Sequence, residues 1–228
     1  MGHQPTTLRP LWFGPLLILL AGCATAPEPA SAPAVPASPT SHAAGINPAN
    51  IRRVGRELPP GYEVTNIARA PSPRAIWSLT ADAAATPPQC MALADPAGGR
   101  DQPAQGVSGS GPGGILDAVV VPAGVALDAN VVTACAHWDL TAGRTTAGIG
   151  LIDAPHIDGA QTVAMVADIR AAAESGSEID SRAYTFVAYL GDHLAFTTLT
   201  TDPGSMLPAL PPQFAADLLV KTVSTLRG

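Results

Sequence analysis

The run Arg182-Ala-Tyr-Thr-Phe-Val-Ala-Tyr-Leu190, the dipeptide Gly191-Asp192 and the run His193 to Leu199 narrow the possible folds more than any other stretch of the chain. Alternating aromatic and β-branched residues on both sides of a two-residue turn read as a β-hairpin, and a leading glycine favours type II′ geometry. Tyr184, Phe186 and Leu190 share one face of that hairpin. Pro212 to Leu226 then puts Phe214, Leu218, Leu219, Val223 and Leu226 on one side of a helix, with Asp217 four residues before Lys221 on the other. A hairpin followed by a one-sided helix predicts an α+β domain, a mainly antiparallel twisted sheet covered by helices.

Upstream segments extend the same pattern. Asn47-Pro48 is an N-cap followed by proline at the first helical position, and it predicts a helix to about Leu58, stopped by Pro59-Pro60-Gly61. Arg52, Arg53 and Arg56 lie within it and read as a solvated or membrane-facing side. Tyr62 to Ile67 alternates as a half-buried strand does. Short helical turns are expected to carry Trp77 and, after Thr86-Pro87-Pro88, Cys90. Gln105 to Gly114 is rich in Gly and Ser and leads into a strong strand, Ile115 to Val121, bounded by Pro122. Asp128 to Trp138 predicts a helix with Val131, Val132 and Cys135 on one side. Thr145 to Ile152 predicts a strand; Thr162 to Ile169 predicts another, although its alanines suit a helix equally.

The N-terminus constrains location more than fold. After Arg9 an apolar run from Leu11 to Ala21, broken by Gly14 and Pro15, falls short of the roughly 20 residues that cross a bilayer. It has the length of a signal-peptide core, about 7 to 15 residues. Its end, Leu20-Ala21-Gly22-Cys23, resembles the bacterial lipobox. That resemblance implies a diacylglycerol on the Cys23 sulfur, removal of residues 1–22, and a protein that sits on a membrane without spanning it. Residues 23–46 follow as a Pro- and Ala-rich tether. They carry too little apolar surface to offset their ordering entropy and can extend up to roughly 70 Å. Residues 47–228 form the folded domain.

Composition excludes some partners. Of 228 residues only 13% are charged, and loss of Arg9 with the signal takes the formal net charge from −6 to −7. No basic face suited to a phosphate backbone is expected, so no nucleic acid partner. With Cys23 assigned to lipid, Cys90 and Cys135 remain, an even count in an exported chain, and they are expected to pair; the alternative is two buried thiols. Neither has the neighbours of a catalytic thiol.

Chemistry-bearing patterns are sparse. Gly106-Val-Ser-Gly-Ser110 fails as a nucleophile elbow at its last position. Lys221 is the only lysine and belongs to no Ser-x-x-Lys, and Ser110-Gly-Pro-Gly-Gly114 lacks the lysine of a phosphate loop. Asp153, His156 and Asp158 could together ligate a metal, but the same residues are ordinary turn chemistry. His137 and His193 read as surface or packing residues. No catalytic residue, cofactor or resident metal is expected.

The order of segments ELPPGYEV, TPPQCMALADP, SGSGPGGILDAVVV, NVVTACAHW, GIGLIDAPHIDGAQTVAM and AYTFVAYLGDHLAF, closed by an amphipathic helix, is similar to that of mycobacterial envelope lipoproteins of unknown function. Those in turn resemble the PknH-type extracellular sensor domain. The resemblance spans about Ile46 to Arg227. It implies an antiparallel sheet packed by helices with a cleft for a small ligand, and a structural disulfide between Cys90 and Cys135. The kinase sensors carry two disulfides where this chain can form one, and no kinase segment or membrane-spanning helix is expected. The leading expectation is a non-enzymatic, lipid-anchored, extracytoplasmic protein that binds a small envelope molecule or lipid in that cleft. A docking module for another envelope protein is second, and a hydrolase assembled from distant residues is third.

Overall fold

The computed structural model describes residues 45–68, 72–98, 103–173, 176–203 and 205–228. The signal, Cys23 and the tether up to residue 44 lie outside them. The described elements belong to one compact unit, Ser41–Gly228. Nine strands among the described residues form a single sheet: β1 (Glu63–Ile67), β2 (Ala84–Thr86), β3 (Gln105–Gly111), β4 (Gly114–Pro122), β5 (His137–Ala142), β6 (Thr145–Ile152), β7 (Gln161–Ala172), β8 (Glu178–Tyr189) and β9 (His193–Thr201). Their order is β1-β3-β4-β9-β8-β7-β6-β5-β2, antiparallel throughout. The class is α+β.

The β8–β9 hairpin runs in register from Arg182 opposite Thr201 to Tyr189 opposite Leu194. Leu190 N–H donates to the His193 carbonyl at 2.8 Å, and Gly191 takes φ +78°, the positive value a II′ turn needs at its first central residue. The alanine-rich segment resolves as the strand β7, paired along its length with β8 and over eight residues with β6. Ladder bonds on both edges override a weak helical preference there.

Both sheet faces are buried, so alternate residues of one strand enter different cores. Leu116, Ala118 and Val120 of β4 meet the C-terminal helix α4 (Pro212–Arg227) and an N-terminal 3₁₀ helix (Pro48–Glu57). Val119 and Val121 meet a layer of short helices, α1 (Pro73–Ile76), α2 (Met91–Ala94) and α3 (Ala129–Ala134), which brings Trp77, Leu93 and the Cys90–Cys135 disulfide against the sheet.

Four features differ from the sequence reading. The Asn47–Leu58 helix is 3₁₀: Asn47 caps Ala49 N–H at 3.1 Å, and Ile51 and Val54, three apart, line up on the buried side of a three-fold helix. Its Arg52, Arg53 and Arg56 are exposed. Gln105–Gly111 is itself a strand, because its glycines are packing positions: a Cβ at Gly109 would lie 2.5 Å from Leu58 Cδ1, and one at Gly111 2.6 Å from Tyr62 Cε2. The helix expected to reach Trp138 stops at Ala134, and His137–Ala142 becomes a strand with Trp138, Leu140 and Ala142 buried in alternation. Finally, Lys221 Nζ reaches Glu57 of the 3₁₀ helix at 2.9 Å, while Asp217 accepts from Gln213 Nε2 at 2.8 Å. The partner lies across the helix interface and not one turn away.

Candidate functional site

Short helices cover most of one sheet face but leave its end open beyond Asp117. On that face the register sets Ser110 opposite Ile115, Ile115 opposite Thr200, and Thr200 opposite Ala183, one row across four strands. Ile115 is 44% exposed and Ile179, near the start of β8, is 62% exposed. The segment following β9 completes a cleft of about 360 Å³ with Leu207, itself 57% exposed. That volume lies within the range of small-molecule sites.

The walls are held from outside the cleft. Tyr62 Oη donates to the Pro112 carbonyl at 2.9 Å and Leu210 N–H donates to the Gly113 carbonyl at 3.0 Å, so the β3–β4 turn is pinned on two sides. Gly114 sits at φ +131°, and a Cβ there would lie 2.5 Å from the Thr200 carbonyl oxygen. Only glycine lets β4 enter the sheet so close to β9.

Ser110, Ser181, Thr200, Asp180 and Asp202 join the apolar residues in the lining. Asp180 accepts from Arg170 Nε at 3.0 Å. One row deeper the same face carries Ser108, Asp117, Thr198 and Thr185, in register. Thr185 Oγ1 and Thr198 Oγ1 are 3.0 Å apart, and Trp77 Nε1 donates to Thr185 Oγ1 at 3.0 Å. Asp117 is buried there; burial pushes its pKa up, and a hydrogen bond with Ser108 partly offsets the rise. A second buried carboxylate, Asp95, receives Arg74 Nη2 at 2.8 Å, while Arg74 Nη1 donates to the Leu79 and Thr80 carbonyls. That arginine ties α1 to the end of α2.

Cys90 and Cys135 are joined and fully buried. Asp153, His156 and Asp158 do not form a metal centre: His156 Nε2 and Asp158 Oδ1 are 3.0 Å apart on the surface, and among the described residues no three His, Cys, Asp or Glu side chains cluster as ligands. Asp192 and His193, at the β8–β9 turn away from the cleft, form a pair at 2.7 Å. Ile115, Ile179 and Leu207 were not singled out from the sequence. The legible signal near them was Asp117, a lone carboxylate inside the apolar run Ile115 to Val121.

The fold has solved counterparts. An uncharacterised protein of Mycobacterium smegmatis, the Rv0999 ortholog, is similar with a TM-score of 0.60 and 16% identity, over 82% of this chain and 100% of that one. The extracellular domain of PknH from Mycobacterium tuberculosis is similar with a TM-score of 0.46 and 14% identity, over 81% and 93%. No curated protein matches significantly. The fold that the segment order implies is met by the Rv0999 ortholog structure. Matched over residues 47–227, the chain belongs to the family described as Domain of unknown function (DUF5642).

Proposed function

We propose that this is a lipid-anchored, extracytoplasmic binding protein that holds a small, largely apolar envelope molecule in the cleft between β4, β8, β9 and the segment after β9, without chemistry on it. The observation that carries the reading is the cleft itself: about 360 Å³, with Ile115, Ile179 and Leu207 unusually exposed around it. Large apolar side chains left in water at a concave site gain free energy when a ligand covers them, by about 25 cal/mol for each Å² removed from water. The signal-like N-terminus, the lipobox ending in Cys23 and the buried disulfide support placement outside the cytoplasm.

Nile red, an uncharged apolar dye, tests the site. The intact protein should enhance its fluorescence, and Ile179→Asp and Leu207→Asp, both at exposed positions, should each abolish the enhancement while leaving the far-ultraviolet circular dichroism unchanged. Wild-type enhancement in both variants would refute the cleft as the site. The anchor is tested separately: Cys23→Ala should move the protein out of the detergent phase or leave its signal uncut, and unchanged partition would refute lipidation.

A further inference from the structure

We infer that the opposite end of the same sheet face holds a second binding site, for a compact uncharged molecule about the size of one aromatic ring that carries a carbonyl or ether oxygen. Between α2 and the connection from β4 to α3 lies a cavity of about 200 Å³, walled by Leu93, Val125, Leu127, Val131 and Tyr189. Ile179 of the cleft and Tyr189 stand on one face of β8, about 33 Å of strand apart, so the two sites are separate. An apolar cavity of about 150 Å³ already takes benzene, and this one has room for a ring with a short substituent. Tyr189 supplies the polar element. It is 6% exposed, yet among the described residues none bonds its hydroxyl, and the oxygen is not sealed inside protein. A buried tyrosine ordinarily finds a hydrogen-bond partner, and here the open space beside it is the cavity. Burial pushes its pKa up to about 12, which keeps the hydroxyl a donor for an acceptor oxygen on the ligand. Asp128, the other polar side chain in the lining, is exposed and already accepts from Asn130 N–H at 2.8 Å. A charged ligand would lose its hydration against walls that are otherwise apolar. Those walls are fixed beforehand: the Cys90–Cys135 disulfide joins the start of α2 to the end of α3, and Ala123 N–H donates to the Asp192 carbonyl at 2.8 Å. A preformed site lowers the ordering cost of binding.

The chain has three tyrosines, Tyr62, Tyr184 and Tyr189, so the full-length protein labelled with 3-fluorotyrosine gives one fluorine resonance from each, assigned by replacing each in turn with Phe. Acetophenone should shift the Tyr189 resonance saturably and leave that of Tyr62, which braces the cleft wall, in place. Ethylbenzene has nearly the same size without the acceptor, and should bind about three to ten times more weakly, the effect of one hydrogen bond. In Tyr189→Phe, followed by calorimetry, the two affinities should become equal. Ala126→Trp, at an exposed position of the lining, should block the cavity and remove the Tyr189 response, with unchanged Tyr62 and Tyr184 resonances showing an intact fold. The absence of a saturable Tyr189 shift overturns the site, and so does a shift that persists in Ala126→Trp. A Tyr62 shift with Tyr189 silent puts acetophenone in the cleft and equally overturns it. Equal affinity of the two probes for the wild type overturns the preference for an acceptor. Nile red binding at the cleft is a separate result and stands or falls without this one.

Discussion

At the scale of single residues, the sheet face leading to the cleft is set by two exceptions to ordinary strand chemistry, a buried carboxyl and a strained glycine. Asp117 has its pKa raised by burial, so the native state holds its proton more tightly than the unfolded chain does. The stability it contributes is complete below the ordinary aspartate range and is lost as pH rises through the raised value. Asp117→Asn carries no charge to bury. It should leave the melting temperature unchanged at pH 3 and raise it at pH 7, by about 2–4 °C for each kcal/mol recovered; an equal fall at both pH values would contradict this. Gly114→Ala forces a Cβ against the Thr200 carbonyl at a positive φ, and should cost about 1–3 kcal/mol by urea denaturation. A lone acid in an apolar strand was visible in the sequence. The need for glycine at 114 was not, because it depends on how closely β9 approaches, a contact between residues 86 positions apart.

At the scale of elements, the strongly patterned pieces were legible and those decided by tertiary contacts were not. The β8–β9 hairpin and α4 follow from alternation and helical periodicity alone, since each buries a face that its own spacing defines. β3 looked like a connection because Gly and Ser suggest turns, yet Leu58 and Tyr62 fill the space its missing side chains leave. Likewise α3 was read too long, because Val131, Val132 and Cys135 share a helical spacing that the chain abandons after Ala134. The disulfide ties the start of α2 to the end of α3 within the short-helix layer. Replacing Cys90 and Cys135 together by Ala should lower stability by about 4 kcal/mol, the closure entropy of a loop of this length, read from denaturant midpoints. On the other face Leu219→Ala should cost about 2–5 kcal/mol, because Leu219, on the inner side of α4, is fully buried in the core. Lys221→Ala should cost less than about 1 kcal/mol, as its pair with Glu57 is largely solvent-exposed.

At the scale of the whole molecule, α4 connects the cleft wall to the start of the described domain at Asn47. Leu210, just before the helix, bonds Gly113 at the cleft wall, and Leu226, in its last turn, accepts from Asn47 N–H at 2.7 Å. Sixteen residues of helix between them span about 24 Å. The cleft wall therefore lies at the opposite end of α4 from residues 45–47. The sequence indicated a covered antiparallel sheet, but an open end of one face emerges only from the register of four strands and the path of the segment that follows β9. The most direct test is the native mass spectrum of the protein purified from the cells that make it. The account predicts a reproducible added mass of a small molecule on the wild type that is absent from Ile179→Asp. A wild-type spectrum showing the polypeptide with its covalent modifications alone, or an added mass retained by Ile179→Asp, would contradict it.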